Sequence, residues 1–190
     1  RNVKVLLDNT WASPMLCRPF DMGVDVSVQA GTKYIVGHSD VMLGTITTAT
    51  EEDLLTIKKQ IIISGDAVGP DDCYLAQRGL RTLGVRLRQH HESGLKVAQW
   101  LQTRPEVKRV LHPALPDDPG HAIWKRDFIG ASGLFSFILK PVTKPQLANM
   151  VDHMDLFGMG FSWGGFESLI LPSDPKNIRT ATKWDEDGQL

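Results

Sequence analysis

Val3-Lys4-Val5-Leu6-Leu7-Asp8-Asn9-Thr10 is a short, mostly apolar run that ends on three polar residues, the pattern of a buried parallel strand whose carboxyl end opens into a loop. Ligands of doubly wound sheets bind just outside such ends, which makes Asp8 the first side chain to weigh. Outward from it, Val24-Asp25-Val26-Ser27-Val28 alternates as a second strand, and Val41-Met42-Leu43-Gly44-Thr45-Ile46-Thr47-Thr48 is a β-rich third. Between these two lies the loop Gln29-Ala30-Gly31-Thr32-Lys33-Tyr34. Thr50 followed by Glu51, Glu52 and Asp53 is a helix start, with Leu54, Leu55, Ile57, Ile61 and Ile62 behind it and Gly65 as its stop.

Leu80, Leu83, Leu87, Gly94, Ala98 and Leu101 share one stripe, which predicts a single long helix from Leu80 to about Gln102 that links two domains. Beyond it, Val107 to Leu111 reads as a strand, Gly120 to Phe128 as a short helix and Leu134 to Leu139 as a core strand. Lys144 to Met154 is helical and Glu167 to Leu171 is a further strand. The alternation predicts a small α/β layer in the second half.

The 190 residues are 42% hydrophobic, and 21 Lys and Arg against 22 Asp and Glu leave a formal charge of −1. Such a chain can fill a core, which excludes a disordered or fibrous protein. It lacks the basic excess that a general nucleic-acid binder needs to neutralise phosphates, so no nucleic acid is expected as a partner. Cys17 and Cys73 form no Cys-x-x-Cys pair, so no metal site is expected and a reducing cytoplasm is the default location. No apolar run approaches the length of a membrane span. The chain starts at Arg1 inside what reads as a strand, and Lys183 to Leu190 stops as though another strand followed; the expectation is a fragment of a longer protein.

Taken alone, Lys33 is a lone cation among Gly31, Thr32 and Tyr34. A lysine in a desolvated pocket becomes a nucleophile towards carbonyls, whereas a loop lysine is more often simply solvated. Asp8 can pair with a protonated pyridine nitrogen or merely cap its own turn. Together the two are more informative, because both fall at the ends of what read as adjacent parallel strands. His90-His91 is an adjacent pair on a helix, whose rings diverge, so it reads as structure. His38-Ser39-Asp40 contains the residue types of a hydrolytic triad, but three consecutive side chains form no relay, and a turn is the better reading. Arg78, Arg81, Arg86 and Arg88 read as a solvated or subunit-facing helix surface.

Three stretches in order, Asp8-Asn9-Thr10-Trp11-Ala12-Ser13-Pro14, Gln29 to Asp40 with Thr32-Lys33-Tyr34 at its centre, and Arg78-Gly79-Leu80-Arg81-Thr82-Leu83, resemble the cysteine and methionine metabolism family of pyridoxal-phosphate enzymes. Arg86-Leu87-Arg88-Gln89-His90-His91 and Phe161-Ser162-Trp163-Gly164-Gly165-Phe166-Glu167-Ser168-Leu169 resemble its cystathionine β-lyase branch in particular. The similarity runs over nearly the whole chain. It implies an α/β fold of type I: residues 1–79 as the end of a mostly parallel-sheet cofactor-binding domain, and 80–190 as a linking helix and a smaller α/β domain.

By the same resemblance, Lys33 holds pyridoxal 5'-phosphate covalently and later moves protons between substrate carbons. Asp8 pairs with the ring nitrogen, Thr32 binds the phosphate and Thr10 packs beneath the ring. Many relatives carry Ser three residues before the lysine; Ala30 here removes the hydroxyl for one phosphate hydrogen bond. Ser162 and Trp163 match positions lining the substrate carboxylate pocket, and Trp163 favours β-elimination over chemistry at the γ-carbon. The implied reaction converts cystathionine to homocysteine, pyruvate and ammonia, as in methionine biosynthesis. The implied partners are an amino-acid thioether, a missing N-terminal half of the protein, and further copies in a tetramer of shared-site dimers. The alternatives carried are a γ-lyase or γ-synthase activity and an inactive fragment in which the cofactor site does not form.

Overall fold

The structure, a computed structural model, describes residues 3–184. Its first sheet has the order β1-β2-β3, from β1 (Leu6–Asp8), β2 (Val26–Ala30) and β3 (Gly44–Thr48). β1 and β2 are parallel, with Asp8 opposite Val28, so the carboxyl ends of both strands open on the same side. β3 is antiparallel to β2, pairing Ala30 with Gly44 and Val26 with Thr48. The loop between β2 and β3 therefore returns on itself, and Lys33 sits in its first turn. The strands are shorter than the apolar runs suggest, and Leu6 on β1 remains 65% exposed.

Between β1 and β2 lie a helical turn, α1 (Ser13–Leu16), and a 3-10 turn at Pro19–Met22. α2 (Glu51–Ser64) starts where the sequence places it: the Thr50 hydroxyl accepts from the Asp53 N–H, and three acids occupy the first turn, where the helix dipole favours negative charge. Gly65 ends it with a left-handed φ of 76°.

The expected single helix from Leu80 is instead two. α3 (Pro70–Leu80) begins with proline at its first turn, followed by Asp71 and Asp72, and α4 (Leu83–Gln102) follows after a break at Arg81-Thr82. The stripe read from the sequence is real over α4, where Leu83, Leu87, Gly94, Ala98 and Leu101 are buried. Leu80 is not part of it and is exposed.

The second half holds β4 (Val107–Leu111) antiparallel to β5 (Ser136–Leu139), with α5 (His121–Asp127) between them. α6 (Lys144–Asp152) opens on a capping box made by Thr143 and Gln146. β6 (Gly158–Met159) and β7 (Leu169–Ile170) pair in parallel, and α7 (Pro175–Ile178) follows.

Among the described residues, three apolar clusters hold these parts. Ile35, Val36, Val41 and Ala76 join the loop after β2 to α3, and Ala98, Leu101, Val110 and Leu115 join α4 to β4. Tyr34, Leu83 and Leu87 form the third, with Leu16 and Trp163 packed against it. This last cluster brings α4 and the segment around Trp163 to the Lys33 loop.

Candidate active site

Lys33 lies in one tight turn. Its N–H donates to the Ala30 carbonyl at 3.0 Å, Val36 N–H to Gly31 O at 2.9 Å, and Gly37 N–H to Lys33 O at 2.9 Å. Tyr34, Ile35 and Val36 are at most 7% exposed, so three consecutive side chains drive the turn into the core. Lys33 is left half-buried at its edge. Gly37 ends the turn at φ 74°, in the left-handed region.

The Lys33 Nζ donates to Ser162 Oγ at 3.0 Å and sits 4.3 Å from the centroid of the Trp163 ring. Backbone approach allows this: Gly164 adopts φ 80°, and a Cβ there would lie 3.0 Å from the Lys33 carbonyl carbon. Gly165 leaves room for Ser39, whose hydroxyl donates to Glu167 Oε2 at 2.6 Å. Trp163 Nε1 is buried and has no hydrogen-bond partner among the described residues, which marks the indole as a donor in want of an acceptor.

Asp8 ends β1, and its Oδ1 accepts from the backbone N–H of Thr10 at 2.9 Å and from the Thr10 hydroxyl. The same hydroxyl accepts from the Ala30 N–H at 2.8 Å. Thr10 is 7% exposed, and it ties the end of β1 to the end of β2 while fixing one oxygen of Asp8. Oδ2 takes no hydrogen bond among the described residues, and Asp8 is exposed. Thr32 uses its hydroxyl to accept from Leu43 N–H at 2.9 Å, with the Leu43 carbonyl at 3.3 Å. Its proton is only weakly engaged.

An amine held by a hydroxyl, a carboxylate with one oriented and one open oxygen, and a hydroxyl with a proton to give fit a pyridine aldehyde phosphate. The structure thus brings Lys33, Ser162 and Trp163 into direct contact. Asp8 and Thr10 meet at the neighbouring strand end, and Thr32 precedes the lysine.

One sequence expectation is corrected. Arg86 is half-buried, not solvated: it donates to the carbonyls of Tyr34 at 2.7 Å, Gly79 at 2.9 Å and Ile35 at 3.2 Å, and to the Thr82 hydroxyl at 3.0 Å. Burial holds its pKa below the ordinary guanidinium value. Its place between Leu83 and Leu87 on α4 was the available signal. Arg78, Arg81 and Arg88 are exposed as expected. His90 packs its ring on Tyr34 at 5.3 Å, and His91 Nδ1 accepts from the Ala131 N–H at 3.1 Å, so both are structural. His38 Nδ1 bonds its own turn at Val36 O, 2.8 Å away. Among the described residues no cluster of metal-ligating side chains forms, and no helix is long and apolar enough to cross a membrane.

Known proteins resemble this chain over most of its length. Residues 1–187 match the family described as Cys/Met metabolism PLP-dependent enzymes. The chain is 53% identical over 175 residues to a cystathionine beta-lyase of Escherichia coli, covering 92% of this chain and 44% of that protein. It is 50% identical over 175 residues to a cystathionine beta-lyase of Salmonella typhimurium, with the same coverage of 92% and 44%. A crystal structure of cystathionine gamma synthase from Xanthomonas oryzae, in complex with aminoacrylate and cysteine, superposes with a TM-score of 0.86 at 34% identity. That match covers 93% of this chain and 45% of the other. The chain thus spans less than half the length of these relatives.

Proposed function

The chain belongs to the Cys/Met metabolism PLP-dependent enzymes, and from that premise we propose that it carries the lysine-bearing part of a carbon-sulfur lyase acting on cystathionine. The observation that carries the reading is the Lys33 amine, held 3.0 Å from Ser162 Oγ beside the parallel strand end that presents Asp8. In this reading Lys33 holds pyridoxal 5'-phosphate, Asp8 accepts the ring nitrogen's proton in a hydrogen bond, and Thr32 turns its hydroxyl to the phosphate. The Thr10 hydroxyl, committed to Asp8 and Ala30, orients the Asp8 carboxylate and leaves the Thr10 methyl to pack beneath the ring. Residues 1–79 supply the cofactor face and 80–190 supply Ser162 and Trp163.

The bound cofactor supplies an electron sink for the pair left at the substrate α-carbon. The protein supplies the rest. The freed Lys33 amine takes the α-proton, and Ser162 Oγ, as its hydrogen-bond partner, fixes where the amine points. Trp163 walls the pocket and offers its unpartnered N–H to the substrate carboxylate. Loss of the β-thiolate from cystathionine, followed by hydrolysis, gives homocysteine, pyruvate and ammonia. The exposed side chains of β1 and α2, Leu6, Leu55 and Ile62 among them, support a partnership with further polypeptide of the same enzyme, in an oligomer. The test is incubation of the full-length enzyme with cystathionine. Pyruvate that disappears in Lys33→Ala is expected; 2-oxobutyrate instead places the chemistry at the γ-carbon, and turnover retained by Lys33→Ala overturns the reading.

A further inference from the structure

The geometry points to Arg86 as a positioning residue that holds the Lys33 turn in the shape that delivers the amine to Ser162, an inference resting on the function proposed for Lys33. Its guanidinium presents a rigid planar fork, and three of its four partners are main-chain carbonyls, two of them on Tyr34 and Ile35, the residues that follow Lys33. The fourth, Thr82, sets the angle of the fork through Nε.

Two glycines make the space. A Cβ at Gly37 would lie 2.1 Å from Arg86 Nη1, and one at Gly79 would lie 2.3 Å from the Ile35 carbonyl oxygen. No carboxylate pairs with Arg86 among the described residues. Its charge is compensated by carbonyl dipoles at the carboxyl end of the lysine turn, where a cation is favourable. The packing explains the stretch Arg78-Gly79-Leu80-Arg81-Thr82-Leu83 physically: Gly79 lets α3 touch the turn and Thr82 orients the arginine beneath it. Arg86 is four positions before His90, which packs on Tyr34 from the same helix, so the turn is gripped at consecutive residues by α4.

A lysine at position 86 keeps the charge and loses the fork, which makes Arg86→Lys the informative variant. In the full-length chain loaded with pyridoxal phosphate, amide hydrogen exchange at Val36 and Gly37 is expected to speed up about ten- to a hundredfold, the effect of one lost hydrogen bond to a charged group, while exchange in the middle of α4 stays unchanged. The misplaced amine is expected to lower kcat about ten- to a hundredfold with KM little altered, and to move the pH midpoint of the cofactor's absorbance band. Guanidinium ion added to Arg86→Ala is expected to restore part of that kcat. Wild-type exchange at Val36 and Gly37 in Arg86→Lys, or a kcat reduced only in proportion to unfolded protein, overturns the proposal. Should Arg86→Lys not fold, Thr82→Val leaves the carbonyl contacts and frees Nε, and the same two readouts decide with smaller shifts. Failure of the wild-type chain to take the cofactor on Lys33 overturns the functional reading instead, and the exchange measurement still decides the clamp.

Discussion

Replacing Gly79 with Ala adds one methyl group near the end of α3, and intrinsic preference alone says that the helix should gain about 1 kcal/mol. The structure says otherwise. The new Cβ would stand 2.3 Å from the Ile35 carbonyl oxygen, 2.5 Å from that of Val36 and 2.9 Å from the Val36 Cα. Carbon–oxygen contacts normally stop at about 3.3 Å, so α3 and the lysine turn must separate by about 1 Å. Overpacking of this kind costs about 1–3 kcal/mol. The separation also pulls the Gly79 and Ile35 carbonyls away from Arg86, and one lost hydrogen bond to a charged group costs about 1.5–3 kcal/mol more. The expected net loss is about 2–4 kcal/mol, read as a lower urea midpoint at unchanged slope. Gly84→Ala is the control: its Cβ would meet the flexible ends of Met15, at 3.4 Å, and Arg88, at 4.0 Å, so it should be neutral or stabilising by up to about 1 kcal/mol. A Gly79→Ala protein as stable as Gly84→Ala refutes the close contact.

Two further outcomes are expected. His112 is fully buried, its Nδ1 accepting from the Ala114 N–H at 3.1 Å and its Nε2 without a partner among the described residues; burial and the nearby His91 push its pKa below the ordinary histidine value, against smaller pulls from its own main chain and from Asp118. The unfolded chain therefore binds the extra proton first, and stability should fall as pH drops below about 6.5. Urea midpoints should show that loss, and His112→Gln should flatten it, leaving a residue from His90, whose pKa burial also lowers. Thr143→Ala removes the hydroxyl that accepts from the Gln146 N–H and leaves the other half of the capping box, Thr143 N–H to Gln146 Oε1, in place, so exchange in the first turn of α6 should rise by the equivalent of about 1 kcal/mol, whereas Thr143→Ser should retain protection.

Local pattern places Asp8 and Lys33 after adjacent strands, and β1 and β2 are parallel, but pattern alone favours a turn cap and a solvated lysine, so the roles proposed for them come from the family resemblance. The helix starts at Thr50 and Thr143 follow from capping chemistry that spans only a few residues. Ser162 is different: its contact with Lys33 bridges 129 positions, and no spacing rule reaches across such a distance, so only the family resemblance named it. β3 runs antiparallel to β2, a direction that its β-rich composition does not encode. The break at Arg81-Thr82 leaves no mark in the sequence pattern, because Leu80 stands in register with Leu83 and Leu87 although its side chain is exposed. The role of Arg86 is not legible because charge signals solvent, and three of its four partners are main-chain carbonyls that carry no residue signature.

The central claim is that Lys33 is the residue that carries the cofactor. Borohydride reduction of the full-length protein with pyridoxal phosphate, followed by peptide mass mapping, tests it directly. A single pyridoxyl-phosphate adduct on the peptide containing Lys33, absent from Lys33→Ala, is the expected result. An adduct spread over surface lysines such as Lys58 and Lys59, or none on Lys33, contradicts the assignment.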